Sequence, residues 1–299
     1  MGAVAVLAKR LPNNAPGDFY VDESCIDCGA CMWIAKETFD EASGRSFVKT
    51  QPKTMESTRL AELALIACPT ASIGATKRHD LASAAAEYPR PFAGDDVLHC
   101  GFHDESTFGA TSWLLRRADG NGRDGGNVLI DVPRFSAPLV KRIEELGGVK
   151  RLFLTHRDDV GDHAKFAAHF GCERILHEGD VTADTRDVEH MLRGEEPVEL
   201  ARGLLAIPTP GHTQGSACLL ADEKYLFGGD HVAWSDELGH PYAFRGACWY
   251  DWGELVKSMR RLATHRFEWI LPGHDAPGHL PADEMRTAMQ RCVEWVERP

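Results

Sequence analysis

Cys25, Cys28 and Cys31 recur at two-residue intervals, and Cys68 follows far downstream with Pro69 directly behind it. Four thiolates are what a [4Fe–4S] cluster needs, and so tight a triplet lets one loop wrap three irons. Four-cysteine sites also hold zinc, but usually as two C-x-x-C pairs. A triplet with a distant Cys-Pro is the iron–sulfur spacing. The chain has no second triplet, so Cys68 is expected to close the same cluster. A bound cluster would also organise the segment around it, which is too short to have much core of its own.

The remaining cysteines, Cys100, Cys172, Cys218, Cys248 and Cys292, are scattered and read as small buried hydrophobes. An odd total of nine cysteines without a secretory context fits a reducing cytoplasm. Residues Met1 to Pro16 place Lys9 and Arg10 after the apolar residues, the reverse of a secretory signal. No apolar run approaches the roughly 20 residues that span a bilayer. A formal net charge of −12 argues against nucleic acid or an anionic membrane as partner. A small-molecule substrate and a redox partner protein are the partners expected.

The chain of 299 residues has room for one small and one large domain. Residues 1–17 read as an N-terminal extension and 18–80 as the small domain. Residues 81–91 read as a linker, because the stretch ends in Pro89 and Pro91. Residues 92–299 form the large domain. In the small domain a strand is expected at 18–21, a helical turn at 33–39 and a strand at 46–48. A helix is expected at 57–68, with Ser57 as its N-cap. The large domain opens with strands, with a turn at 120–126, and continues as strand–helix alternation, which indicates an α/β sandwich.

Cys25-Ile-Asp-Cys-Gly-Ala-Cys31 and Ala67-Cys-Pro-Thr-Ala-Ser-Ile73 resemble the single-cluster bacterial ferredoxins. The resemblance covers the small α+β domain and implies a 4Fe-4S cluster on Cys25, Cys28, Cys31 and Cys68.

A second set of ligand types falls at strand and loop ends. It comprises Thr155-His156-Arg-Asp158-Asp159-Val-Gly-Asp162-His163, Pro210-Gly-His212-Thr213, Gly228-Gly-Asp230-His231 and Pro272-Gly-His274, with Asp131 at the end of an earlier strand. Histidine and aspartate together suit zinc, iron or manganese. Each has a plainer reading: Asp162 as a helix N-cap, His163 on that helix's outer face, Asp131 as a strand end. His103 and His99 read as structural, and His231 as a neighbour of a ligand.

The order of these segments resembles the metallo-β-lactamase superfamily, whose fold is an αββα sandwich with its metal site at one sheet edge. The resemblance implies His156, Asp162, His163, His212, Asp230 and His274 as ligands of one or two divalent ions. Asp230 would bridge them, and Asp131 would orient the site from behind. The family pattern is H-x-H-x-D-H. Here two extra residues intervene, and Asp158 or Asp159 stands where the second histidine belongs. A carboxylate there moves preference from zinc toward iron or manganese, as in the flavodiiron branch. If the insertion lifts these aspartates away, His156, His212 and Asp230 form a set like that of the persulfide dioxygenase branch.

The leading expectation is a metal-dependent hydrolase with a fused ferredoxin domain, in which Asp162 is a ligand or the base that orients a metal-activated water. Pro210-Gly-His-Thr213 resembles the hydroxyacylglutathione hydrolase and persulfide dioxygenase branches, implying a thiol-derived ester or thioester substrate. The first alternative is an iron-dependent oxidoreductase that receives electrons from the cluster. The second is a non-catalytic redox-sensing binding protein.

Overall fold

A computed structural model of the chain describes residues 4–117 and 125–298. The expected turn at 120–126 therefore lies, from 120 to 124, outside the described residues. Strand β1 (Phe19–Val21) leads into the cysteine loop, which ends on the short helix α1 (Ala30–Ile34). A hairpin of β2 (Phe39–Glu41) and β3 (Ser46–Val48) follows, then α2 (Met55–Ala67). Strand β4 (Ile73–Ala75) returns antiparallel to β1. The turn expected at 33–39 splits, because helix α1 begins earlier and Phe39 already belongs to β2. Helix α2 also starts early. Thr54 is its N-cap and Ser57 the third helical residue, each side chain accepting from the other's backbone N–H.

The segment 81–91 is not a linker. It forms α3 (Leu81–Ala86), capped by Asp80, and β5 (Arg90–Ala93). Its alanines favour a helix. Strand β5 lies at a sheet edge, where Pro91 can do without a ladder N–H. Tyr88 between the two is buried, and its hydroxyl donates to the Leu63 carbonyl at 3.1 Å. The small domain is thus joined to the large one through packed structure.

The first sheet continues with β6 (Val97–His99), β7 (Trp113–Leu115) and β8 (Val128–Ile130). Helix α4 (Ala137–Glu145), β9 (Arg151–Phe153), α5 (His163–Phe170), β10 (Glu173–His177) and β11 (His190–Leu192) follow. Its spatial order is β11-β10-β9-β8-β7-β6-β5, antiparallel from β5 to β8 and parallel from β8 to β11. The second sheet holds β12 (Val198–Ala201), β13 (Leu204–Pro208), β14 (Ala217–Ala221) and β15 (Tyr225–Gly229). After a small hairpin of β16 (Ala233–Ser235) and β17 (His240–Tyr242) come α6 (Trp252–Leu262), β18 (Trp269–Pro272), β19 (Gly278–His279) and α7 (Ala282–Val296). Its order is β12-β13-β14-β15-β18-β19.

Trp113, Ile130, Phe153 and Ile175 of the first sheet meet Ala206, Leu219, Phe227 and Leu271 of the second in a dry middle layer. Leu255 and Met259 of α6, with Met285 and Met289 of α7, cover the second sheet's outer face. Leu139 and Ile143 of α4 and Phe166 of α5 cover the first sheet's outer face. That outer core runs on without a break into Phe19, Ile34 and Leu63 of the small domain. The large domain is the expected αββα sandwich. No helix among the described residues is long and apolar enough to cross a membrane.

Candidate metal centres

Cys25, Cys28, Cys31 and Cys68 line one small cavity, with Ile26, Ser46, Pro69 and Thr70 completing its walls. None of the four is in a disulfide. Burial pushes the Cys25, Cys28 and Cys31 thiols up, Cys28 to about 12. Without a metal they are held as neutral thiols in an apolar cage, whereas iron would take them as thiolates. Four converging sulfurs in a closed cage fit a [4Fe–4S] cluster. The large domain packs directly against one of these cysteines. A Cβ on Gly109 would come within 2.7 Å of Cys28 Cβ and 3.0 Å of its Sγ.

The second centre is assembled at the C-terminal ends of strands. His156 follows β9, His212 follows β13, Asp230 follows β15 and His274 follows β18. Asp230 Oδ2 is the hub, 3.8 Å from His156 Nε2, 3.7 Å from His212 Nε2 and 3.7 Å from His274 Nε2. Asp158 Oδ2 lies 3.5 Å from His212 Nε2 and 4.0 Å from His156 Nε2. Asp159 Oδ2 lies 3.9 Å from His156 Nε2. These separations are too long for hydrogen bonds and suit donors arranged around an ion. His156 Nε2, Asp159 Oδ2, His212 Nε2 and Asp230 Oδ1 are buried without a hydrogen-bond partner. Buried polar atoms are ordinarily satisfied, so the orphaned set fits one or two divalent ions held by His156, Asp158, Asp159, His212, Asp230 and His274. Backbone must pass close behind: a Cβ on Gly273 would meet Asp230 Oδ1 at 2.7 Å and Asp159 Oδ2 at 3.2 Å.

Asp162 and His163 are not in this set, contrary to the expectation that made them ligands and Asp162 catalytic. Asp162 Oδ2 accepts from the Phe135 N–H at 2.9 Å and Oδ1 pairs with Lys165 Nζ at 2.7 Å. The His163 ring sits beside Arg174, Nδ1 to Nη1 3.4 Å. The inserted residues explain the displacement. Arg157–Asp159 form a 3-10 turn, which aims Asp158 and Asp159 into the cleft and carries Asp162 on to the start of α5. Asp180 fixes that turn. Its Oδ2 accepts from the Arg157 N–H at 2.9 Å and the Thr213 hydroxyl at 2.5 Å, and its Oδ1 from the Gly215 N–H at 2.8 Å.

Asp131 stands behind His156, and Thr155 connects the two. The Thr155 hydroxyl lies 2.9 Å and 3.0 Å from the Asp131 oxygens, and Thr155 N–H donates to Oδ1 at 2.8 Å. With its hydroxyl donating to Asp131, Thr155 Oγ1 accepts from His156 Nδ1–H, 3.0 Å away. Nδ1 then carries the ring proton and Nε2 is left bare toward the cleft. Thr155 escaped the sequence reading, and its only signal there is a hydroxyl residue directly before a ligand histidine. His103 and His99 are structural as expected: His103 Nδ1–H donates to the Gly109 carbonyl at 2.8 Å and its Nε2 meets His99 Nε2 at 2.9 Å. His231 is buried beside the site with no partner on either ring nitrogen.

Burial pushes Asp131 up to about 7, against the hydrogen bonds from Thr155. Burial, then the neighbouring Asp230 and Asp131, holds Asp159 well above the usual carboxylate range. Burial lowers His156 although Asp230 opposes it. Burial would lower His212 too, but Asp158 and Asp230 outweigh it. So many acids packed together without a counter-charge is the field a divalent cation relieves.

One cleft of about 660 Å3 is lined both by Cys28, Gly29 and Met32 of the small domain and by Asp158, Asp159, His212, Asp230 and His274 of the large one. Gly109 touches Cys28, and the ring of adjacent Phe108 lies 6.0 Å from that of His274.

The chain joins a small domain with four converging cysteines to an αββα sandwich that carries the His/Asp pocket. Residues 21–75 match the family described as the 4Fe-4S single cluster domain of Ferredoxin I. The chain is 26% identical over 200 residues to the uncharacterized protein YobT of Bacillus subtilis (strain 168), covering 55% of this chain and 85% of that protein. The BLEG-1 B3 metallo-β-lactamase structure is similar at 16% identity and TM-score 0.47, over 63% of this chain and 95% of that one. So is ETHE1 from Myxococcus xanthus, at 18% identity and TM-score 0.44 over 68% and 92%. The metallo-β-lactamase superfamily protein ST1585 from Sulfolobus tokodaii gives 16% identity and TM-score 0.41, over 62% and 79%.

Proposed function

We propose that this protein is an oxidoreductase whose iron–sulfur cluster and metal pocket work as one unit on a small substrate in the shared cleft. The observation that carries this reading is the position of Cys28 in the wall of the same cleft as Asp230 and His274. A cluster ligand there sets an electron source beside the metal pocket. The donor set supports the same reading, since three aspartates beside three histidines form a hard, oxygen-rich site that favours iron or manganese over zinc. Bound there, such ions would supply Lewis acidity and one-electron chemistry. The chain's part is positional. Thr155 and Asp131 hold the His156 tautomer, and Asp180 holds the turn that presents Asp158 and Asp159. Buried His212 and Asp159 exclude water from behind the pocket. The converging donors give no support to a degenerate, non-catalytic pocket.

Reductive titration of anaerobically purified protein tests the proposal. The expected result is more than four irons and more than one electron equivalent per chain, falling to the cluster's own four irons and one electron in Asp230→Asn. Four irons with zinc in the pocket, one electron equivalent, and thioester turnover without reductant would replace this reading with the hydrolase.

A further inference from the structure

The mouth of the shared cleft is acidic and aromatic at once. Asp27, Glu41 and Asp275 line it, in addition to the three aspartates of the metal set. No lysine or arginine lines it among the described residues. Arg157, next to Asp158 in the chain, is engaged with that residue's Oδ1 at 3.8 Å. Asp27 Oδ1 has no hydrogen-bond partner among the described residues and lies outside the metal set. Phe108 and Trp249 line the same cleft, each beside a different histidine of the metal set, their rings 6.0 Å from His274 and 6.2 Å from His212. Both belong to the small group of large apolar side chains left exposed, at 56% and 60%. Packing in this chain does not account for that exposure, whereas a ligand against them would cover it.

We propose that the cleft selects an organic cation, an amine or quaternary ammonium with an apolar body, seated against Phe108 and Trp249 with its charge toward Asp27, Glu41 and Asp275. Aromatic faces attract such a cation through the ring quadrupole, and the effect grows as water is excluded. The volume of about 660 Å3 suits a small organic molecule. The same carboxylates repel a phosphate or carboxylate substrate, so selection works by rejection as well as attraction. The inference rests on the cleft being the reaction site, but not on which reaction occurs there.

Calorimetric titration of the cluster-loaded protein with three probes of one shape tests this without turnover. The probes are benzyltrimethylammonium, its neutral isostere neopentylbenzene, and the anion phenylmethanesulfonate. The cation is expected to bind about tenfold or more tighter than the isostere, the anion not at all, and added salt to weaken only the cation. Asp27→Asn/Glu41→Gln and Trp249→Ala should each lose about fivefold or more in cation affinity. Glu41→Gln alone, on a hairpin outside the cysteine loop, separates charge from any loss of cluster. Equal binding of cation and isostere, binding of the anion, no binding of the cation, or cation affinity unchanged in these variants overturns the proposal. Because the readout is affinity, this result stands apart from the electron count that tests the redox reading.

Discussion

Gly109→Ala is the most informative single substitution, because it strikes the contact between the two domains at a cluster ligand. Gly109 has φ +82°, and an added methyl would lie 2.7 Å from Cys28 Cβ, 2.9 Å from Pro69 Cγ and 3.0 Å from Cys28 Sγ. The left-handed backbone costs an alanine roughly 1–2 kcal/mol. Forcing a methyl into packed structure adds about 1–3 kcal/mol. Gly171 provides the control: its φ is +64°, yet a methyl added there would find nothing within 4 Å. Gly171→Ala therefore carries only the backbone cost, and the excess in Gly109→Ala falls on Cys28. An excess of about 1–3 kcal/mol is roughly a 5- to 150-fold change in the equilibrium for holding the cluster. The assay is iron retained per chain against time in the presence of a chelator, for both variants beside wild type. Gly109→Ala should lose its cluster at least several-fold faster, and Gly171→Ala should track wild type. Equal loss from both variants would refute the claim that the large domain braces the cluster at Cys28.

Thr155→Val keeps the shape of the side chain but removes the link between Asp131 and His156. Pocket-metal affinity should fall about 10- to 100-fold, read by competition with a chromogenic chelator, while cluster iron stays at the wild-type level. His163→Ala and Asp162→Asn should leave pocket-metal content unchanged, since neither faces the cleft, and a loss of metal in either would restore them as ligands. His103 is buried and lowered by that burial to about 4, so between pH 6.5 and 4 the unfolded chain binds a proton the native one does not. This contribution is fully present above pH 6.5 and is lost as pH falls. Urea unfolding should show wild type losing about 2 kcal/mol more than His103→Gln between pH 7.5 and 5. Equal losses would mean that His103 is not held neutral.

The features legible in the sequence were those written in local spacing. The cysteine loop needs only Cys25, Cys28 and Cys31 in register, and the β13, β15 and β18 termini carry His212, Asp230 and His274 behind sharp turns. What was not legible depends on contacts distant in sequence. Whether Asp159 or Asp162 faces the cleft is decided by Asp180, which grips the Arg157 N–H from 23 residues away. Pro89 and Pro91 look like a break until Tyr88 is seen reaching Leu63 and β5 pairing with β6. The meeting of Cys28 with Gly109 has no local signal, because neither residue's neighbours in the chain reveal the other.

A four-cysteine cage and a His/Asp pocket lie side by side, with Cys28 in the wall of the pocket's cleft. Anomalous diffraction from crystals of anaerobically prepared holoprotein, collected on both sides of the iron edge, tests it most directly. One density is expected inside Cys25, Cys28, Cys31 and Cys68. Another is expected bounded by His156, Asp158, Asp159, His212, Asp230 and His274, with no intervening domain surface. A second density at Asp162 and His163, or none beyond the cysteine cage, would contradict it.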